Sequence, residues 1–359
     1  MRRLASLDIV RGAVMVLMAI DHVRVYAGVP AGGPDPAVFF TRWVTHFCAP
    51  AFVFLAGTAA YLYGQKTQSR PALAKFLVIR GLWLVLLELT LLRFAWTFNF
   101  DYANFTFAGV IWVIGWSMVI LAALVYLPTT VVGAIGVLVI VLHNALAPIL
   151  SKSAILYGGW IVPVGGVKLA VLYTIIPWFA VMAAGYAFGA LLPRRRAVLL
   201  LGIVCIALFV ILRATNLYGD PRAWEGGALQ FLATSKYPAS LQFLLMTLGP
   251  MFVVLALLHN ARDGGPLAIF GRVPFFYYVL HIPLIHVIAV LISLVRTPRD
   301  TWWLFTNHPM MPPDVPDGYR WPLWMLYLVT AIVVTVLSFA CRWYARVKAE
   351  QPRAWMKYV

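Results

Sequence analysis

Leu7-Asp8-Ile9-Val10-Arg11-Gly12-Ala13-Val14-Met15-Val16-Leu17-Met18-Ala19-Ile20-Asp21-His22 is an apolar stretch that carries ionisable side chains at 8, 11, 21 and 22. A bilayer-spanning helix tolerates hardly any. A central Asp or Arg costs about 2.5–3.5 kcal/mol on insertion scales, so such residues face a bundle interior or water and have partners there. At 100° per residue, His22 falls about 20° from Arg11 and about 40° from Asp8, so these three share one face. That polar stripe reads as a site on a predicted spanning helix. The alternative is a structural Asp8–Arg11 pair at i,i+3.

The rest of the chain has the same character. Of 359 residues, 63% are hydrophobic and 11% charged, and mean hydropathy is +0.87. This excludes an ordinary soluble domain and predicts an all-α polytopic membrane protein. Windows of roughly 20 apolar residues give about ten transmembrane helices, near 7–28, 41–63, 76–95, 107–126, 130–148, 169–192, 197–213, 240–259, 273–295 and 322–344. No linker or repeat interrupts them, so residues 1–359 read as a single integral membrane domain. Met1-Arg2-Arg3 ahead of an apolar run has the look of a secretory signal, but the charges inside the run argue for a retained span.

The formal net charge of +16 does not point to nucleic acid, because the basic residues are spread along loop ends. Arg2 and Arg3; Lys66, Arg70 and Lys75; Arg194-Arg195-Arg196; and Arg342, Arg346, Lys348, Arg353 and Lys357 fall on alternate loops and at both ends. The positive-inside rule makes that side cytoplasmic, with both termini inside. Cys48, Cys205 and Cys341 form no CxxC, and the histidines form no HExxH. Neither a disulfide framework nor a metal site is expected.

What remains is polar chemistry inside helices. His46, in Arg42-Trp43-Val44-Thr45-His46, stands near the outer start of the second span, where it could meet His22 or bond backbone at the interface. Glu88 in the third span and Arg93 after it could pair with each other or join this cluster. In the ninth span Tyr277 and His281 share a face at i,i+4, and Pro283 removes the N–H that would bond the Val279 carbonyl. His286 points some 140° from His281, so His281 is the preferred cavity-lining histidine, although either could simply bond a neighbouring helix.

The segments Ser6-Leu7-Asp8-Ile9-Val10-Arg11-Gly12, Pro50-Ala51-Phe52-Val53-Phe54-Leu55-Ala56-Gly57 and Gly271-Arg272-Val273-Pro274-Phe275-Phe276-Tyr277-Tyr278 resemble the heparan-α-glucosaminide N-acetyltransferase catalytic-domain family and its bacterial relatives. More distantly, Leu-Asp-x-x-Arg-Gly followed by a His is similar to the acyltransferase-three family, and that match puts the catalytic histidine on His22. The resemblance implies a membrane enzyme of the bacterial inner (cytoplasmic) membrane. Such an enzyme takes an acyl group, acetyl above all, from cytoplasmic acyl-CoA and delivers it to an extracytoplasmic glycan, amino sugar or other amine or hydroxyl acceptor. Two departures stand out. The lysosomal family member has its catalytic histidine in the loop before the second span, whereas this chain has no histidine between Val23 and Thr45. The RxxR that opens an early span in the acyltransferase-three family is also missing, with Lys75 and Arg80 in that region.

A mechanism follows from the residues. Arg11 and His22 lie roughly 16 Å apart along one helix face, comparable to an extended pantetheine arm. Arg11, with Arg80 or Arg272, would receive the anionic parts of CoA. His22 would act as general base, or less favourably as an acyl-accepting nucleophile. The catalytic candidates are then His22, Asp21, Asp8 and His46, although Asp21 projects about 100° from His22 and is a poor orienter; Glu88 is the alternative carboxylate. Arg42, Glu88, Tyr277 and His281 are candidate cavity residues. The lipid bilayer and acyl-CoA are the expected partners, and a homodimer is left open. The competing reading is a transporter or proton-coupled flippase, since buried Asp, Arg and His also mark ion paths.

Overall fold

The computed structural model describes residues 5–158, 160–261, 265–307 and 315–357, and it is 72% helical. In chain order the first helices are α1 (Ala5–Tyr26), α2 (Pro36–Trp43), α3 (Cys48–Thr67), α4 (Arg70–Leu87) and, after a π-helical turn over Glu88–Leu92, α5 (Arg93–Thr97). Strand β1 (Thr106–Ala108) precedes α6 (Val110–Leu124), α7 (Thr129–Leu142) and the single turn α8 (Ala147–Leu150). Strands β2 (Ile161–Val164) and β3 (Val167–Val171) lead into α9 (Ile175–Phe188), α10 (Arg195–Thr215), α11 (Ala228–Leu232) and α12 (Leu241–Leu257). The chain continues with α13 (Gly265–Arg272), α14 (Pro274–Arg296) and α15 (Leu323–Glu350).

Each of the ten windows expected to span overlaps a described helix, but ten membrane crossings do not follow from that. Four described helices are long and apolar enough to cross a membrane by length and composition: Pro36–Thr67, Arg195–Thr215, Pro274–Arg296 and Leu323–Glu350. Four more, Val110–Leu124, Thr129–Leu142, Ile175–Phe188 and Leu241–Leu257, are apolar but shorter. Arg2, Arg3 and His308 lie outside the described residues.

The expectation of an all-α chain needs one correction, a small sheet of order β1-β3-β2. β2 and β3 pair antiparallel across Gly165 and Gly166, both at positive φ (54° and 85°), as a two-residue hairpin turn requires. β1 adds in parallel to β3. Reading 169–192 as one apolar window concealed this, because the β-branched residues of β3 are as apolar as the helix that follows them.

The chain forms two compact units, the first comprising Met1–Ser6, Ala49–Leu89 and Thr106–Ala261, the second Leu7–Cys48, Thr90–Phe105 and Arg262–Val359. In the first, α3 and α9 approach backbone to backbone. A side chain at Gly57 would strike the Met182 carbonyl and one at Gly185 the Phe54 carbonyl, and Thr58 Oγ1 donates to the Gly185 carbonyl at 2.9 Å. Small residues and a short polar bond are what hold apolar helices together where lipid competes equally for their surfaces. Beyond α10 the buried Arg213 guanidinium donates to the carbonyls of Phe231, Arg222 and Gln230 at 3.0, 2.6 and 2.7 Å, tying down the long connection to α12.

In the second unit α1 lies against α13, where side chains at Gly12 and Gly271 would collide with the backbones of Leu267 and Asp8 respectively. Arg93 plays the part that Arg213 plays in the first unit. Fully buried, it donates to the Phe105 and Asp101 carbonyls at 2.8 and 2.6 Å, to Asn99 Oδ1 at 2.8 Å and to the Asn99 carbonyl. Asp101 lies outside the predicted spans. Burial pushes its carboxyl up, but hydrogen bonds from Asn104 and Asn307 and the Arg93 charge outweigh this and hold it below the usual range.

The α1–α13 contact makes a prediction. Gly271→Leu should destabilise the protein by about 1–3 kcal/mol or more, because the added side chain meets backbone that cannot rotate away. Thermal unfolding of purified protein in detergent checks this, and an unchanged transition would mean that the helices do not touch there.

Candidate functional site

Two histidines from distant parts of the sequence meet within the second unit. His22 Nδ1 is 2.6 Å from His281 Nε2, with ring centroids 4.8 Å apart and planes inclined by 23°. His281 is fully buried and His22 half-buried. The edge-on Trp96 ring, centred 4.8 Å away, and the Tyr278 ring at 6.4 Å confine His22 further. His281 Nδ1 lies 2.6 Å from the Tyr278 carbonyl oxygen.

The helices that carry the pair run in the same direction. At one end Gly271, just before α14, abuts the Asp8 backbone; at the other His281 meets His22. Arg11, half-buried, and Arg272, exposed, therefore lie toward the same end of this helix pair. The histidines lie toward the other end, roughly 16 Å along α1 from Arg11.

Asp21 belongs to a different set of contacts. Its Oδ1 accepts from Arg24 Nε at 2.9 Å and its Oδ2 from Arg42 Nη1. Arg42 also donates to Thr45 Oγ1 at 3.0 Å, and Arg24 Nη1 to the Val29 carbonyl at 2.8 Å. The carboxylate joins α1 to α2, and the group on His22 Nδ1 is His281. His46 stands half-buried in the 3-10 turn Val44–Phe47 that follows. Asp8 is buried where α1 crosses α13.

Arg80 and Glu88 belong to the first unit. Glu88, expected to pair with Arg93 or to join the cluster around His22, is engaged within the first unit. Glu88 Oε2 accepts from the backbone N–H groups of Ile111 and Trp112 at 2.8 and 3.0 Å, filling the N-terminus of α6, where unpaired N–H groups and the helix dipole favour a carboxylate. Arg93 is satisfied by carbonyls instead. Tyr277 is fully buried and its ring packs on His281, centroids 5.5 Å apart. Its hydroxyl has no hydrogen-bond partner among the described residues. His286 is engaged elsewhere, with Nδ1 3.1 Å from the Ala95 carbonyl and Nε2 2.8 Å from that of Leu304.

Sequence reasoning missed two neighbours of this site. Arg24 was legible as an i,i+3 partner of Asp21. Trp96 was not, since only the tertiary fold brings α5 beside α1.

The polar stripe of α1 thus supplies one imidazole of an adjacent pair, with guanidinium groups toward the other end of its helices. Such a pair can take and return a proton, and the arginines suit an anion. Among the described residues no group of three or more His, Cys, Asp or Glu is placed to hold a metal ion.

Comparison with known proteins adds one finding. A family model described as "Heparan-alpha-glucosaminide N-acetyltransferase, catalytic" matches residues 3–222, more than half the chain, and no curated protein matches it.

The ion pairs at Asp21 carry a prediction. Arg42→Gln should destabilise the protein by leaving part of a largely buried carboxylate without its charge partner. Adding Asp21→Asn should restore part of the loss. Thermal unfolding of the single and double variants measures it, and strictly additive losses would show that the two residues do not interact.

Proposed function

The chain belongs to the heparan-α-glucosaminide N-acetyltransferase catalytic family, and from that premise we propose that it is an integral membrane acyltransferase. In this reading it moves an acetyl or other acyl group from cytoplasmic acyl-CoA to an extracytoplasmic amine or hydroxyl, with a sugar as the favoured acceptor class. It does so as one ten-span enzyme with both termini cytoplasmic, in a bacterial inner membrane. The alternating basic loops support this topology.

The observation that carries the chemistry is the His22–His281 contact at 2.6 Å on helices that bear Arg11 and Arg272 toward their other end. Arg11 and Arg272 would hold phosphates of CoA, leaving its pantetheine arm to run along α1. His22 is the general base. The acceptor's N or O lone pair attacks the thioester carbonyl carbon while His22 Nε2 removes the acceptor's proton. Collapse of the tetrahedral intermediate breaks the C–S bond, and the departing thiolate takes the proton back to give free CoA. Asp21, neutralised by two arginines, serves in this reading to fix the outer end of α1 rather than to transfer protons.

The experiment is thioester loss from acetyl-CoA by purified protein with amino-sugar acceptors, measured beside CoA affinity. His22→Ala should lower turnover by about 10²–10⁴-fold, the usual worth of a general base, and leave CoA affinity nearly unchanged. His22→Gln, which cannot titrate, should be almost as inactive. Wild-type turnover in both would remove His22 from the mechanism.

Binding should separate from chemistry. Arg11→Gln should weaken CoA binding, whereas Arg296→Gln, at the far end of α14, should not. Equal losses would contradict the placement of CoA along α1, and absence of both binding and turnover in the wild type would favour the transporter reading.

A further inference from the structure

We infer that His281 is a positioning residue that locks His22 into the tautomer with its proton on Nδ1 and its lone pair on Nε2. The inference deepens the acyl-transfer reading and rests on it for the use made of the base. The tautomer itself rests on the geometry.

The Tyr278 carbonyl can only accept. His281 Nδ1, 2.6 Å from that oxygen, must therefore carry a proton. A neutral imidazole has one N–H, so His281 Nε2 presents a lone pair. That lone pair faces His22 Nδ1 at 2.6 Å, so His22 Nδ1 must be the donor, and the single proton of neutral His22 is spent there. Nε2 is left as its basic nitrogen. Packing holds the arrangement, since Tyr277 and Tyr278 flank His281 with centroids at 5.5 and 5.1 Å and Trp96 meets the His22 ring.

A second imidazole thus does what a carboxylate does for catalytic histidines elsewhere: it selects the tautomer and orients the ring. The consequence for proton movement is definite. When His22 Nε2 takes the acceptor's proton, the Nδ1 proton can shift to His281 Nε2, leaving the charge on His281 and His22 neutral. When the thiolate leaves, Nε2 returns its proton to sulfur and the other shifts back. Among the described residues, the ionisable groups facing the pair include Tyr277 and Tyr278 on α14, Cys48 and Cys341 near Tyr277 and, next to His22 on α1, Asp21, which binds Arg24 and Arg42.

The test compares His281→Ala and His281→Gln with the wild type by two readouts. The first is the ¹⁵N spectrum of histidine-labelled protein at a pH where His22 is neutral. The wild type should show His22 protonated at Nδ1, His281→Ala should show a mixture of tautomers, and His281→Gln, whose amide oxygen can accept from Nδ1, should restore the single form. The second is kinetic. His281→Ala should lower kcat by about 10²-fold with little change in KM for acetyl-CoA, and His281→Gln should recover much of it. An unchanged His22 tautomer in His281→Ala overturns the inference, as does full activity in that variant. Loss of the tautomer lock in His281→Ala, together with no acyl transfer by the wild type, would refute the acyltransferase reading and leave the positioning role standing.

Discussion

A hydrogen bond between two imidazoles, His22 on α1 and His281 on α14, is the interaction on which the candidate site depends. An imidazole within an apolar helix has little water to bond, so its polar atoms must be satisfied by protein, and an unpaired one is costly. The pair at 2.6 Å meets that constraint on one side and ends on the Tyr278 backbone carbonyl. Satisfying the constraint also creates the chemistry, because a histidine whose proton is committed at one nitrogen is a base at the other.

Each unit holds a buried arginine that works by the same device. Arg93 and Arg213 both turn their guanidinium groups onto backbone carbonyls instead of carboxylates, fixing irregular connections whose oxygens lack helical partners. A five-donor planar cation suits this task. Glu88 is the complement, a carboxylate on the N–H groups that open α6. These charged residues inside apolar sequence are engaged in folding.

Much of this was legible in the amino-acid order. Hydropathy windows fell on helical segments, four of which are long and apolar enough to cross a membrane, and helical periodicity put Asp8, Arg11 and His22 on one face. The Leu-Asp-x-x-Arg-Gly and Gly-Arg-Val-Pro segments carried the family resemblance, and Gly12 and Gly271 within them turn out to be where α1 and α13 touch. The face shared with Tyr277 had favoured His281 over His286, which turns to the carbonyls of Ala95 and Leu304, but its contact with His22 was not legible, because 259 residues separate the two and only tertiary packing joins them. The small sheet was missed because β-branched apolar residues read alike in strands and in spans. Glu88 was expected to pair with Arg93 or to join the His22 cluster; it accepts from backbone amides instead, since the helix N-terminus at Val110 becomes its neighbour only in the fold.

The central claim is that CoA lies along α1 with its thiol end at His22. A cryo-electron microscopy structure of the purified protein with CoA tests this most directly. Phosphate density is expected against Arg11 and Arg272, with the CoA sulfur within roughly 4 Å of His22 Nε2, close to the separation of reacting atoms in a productive complex. CoA bound with its sulfur remote from both His22 and His281 would contradict it.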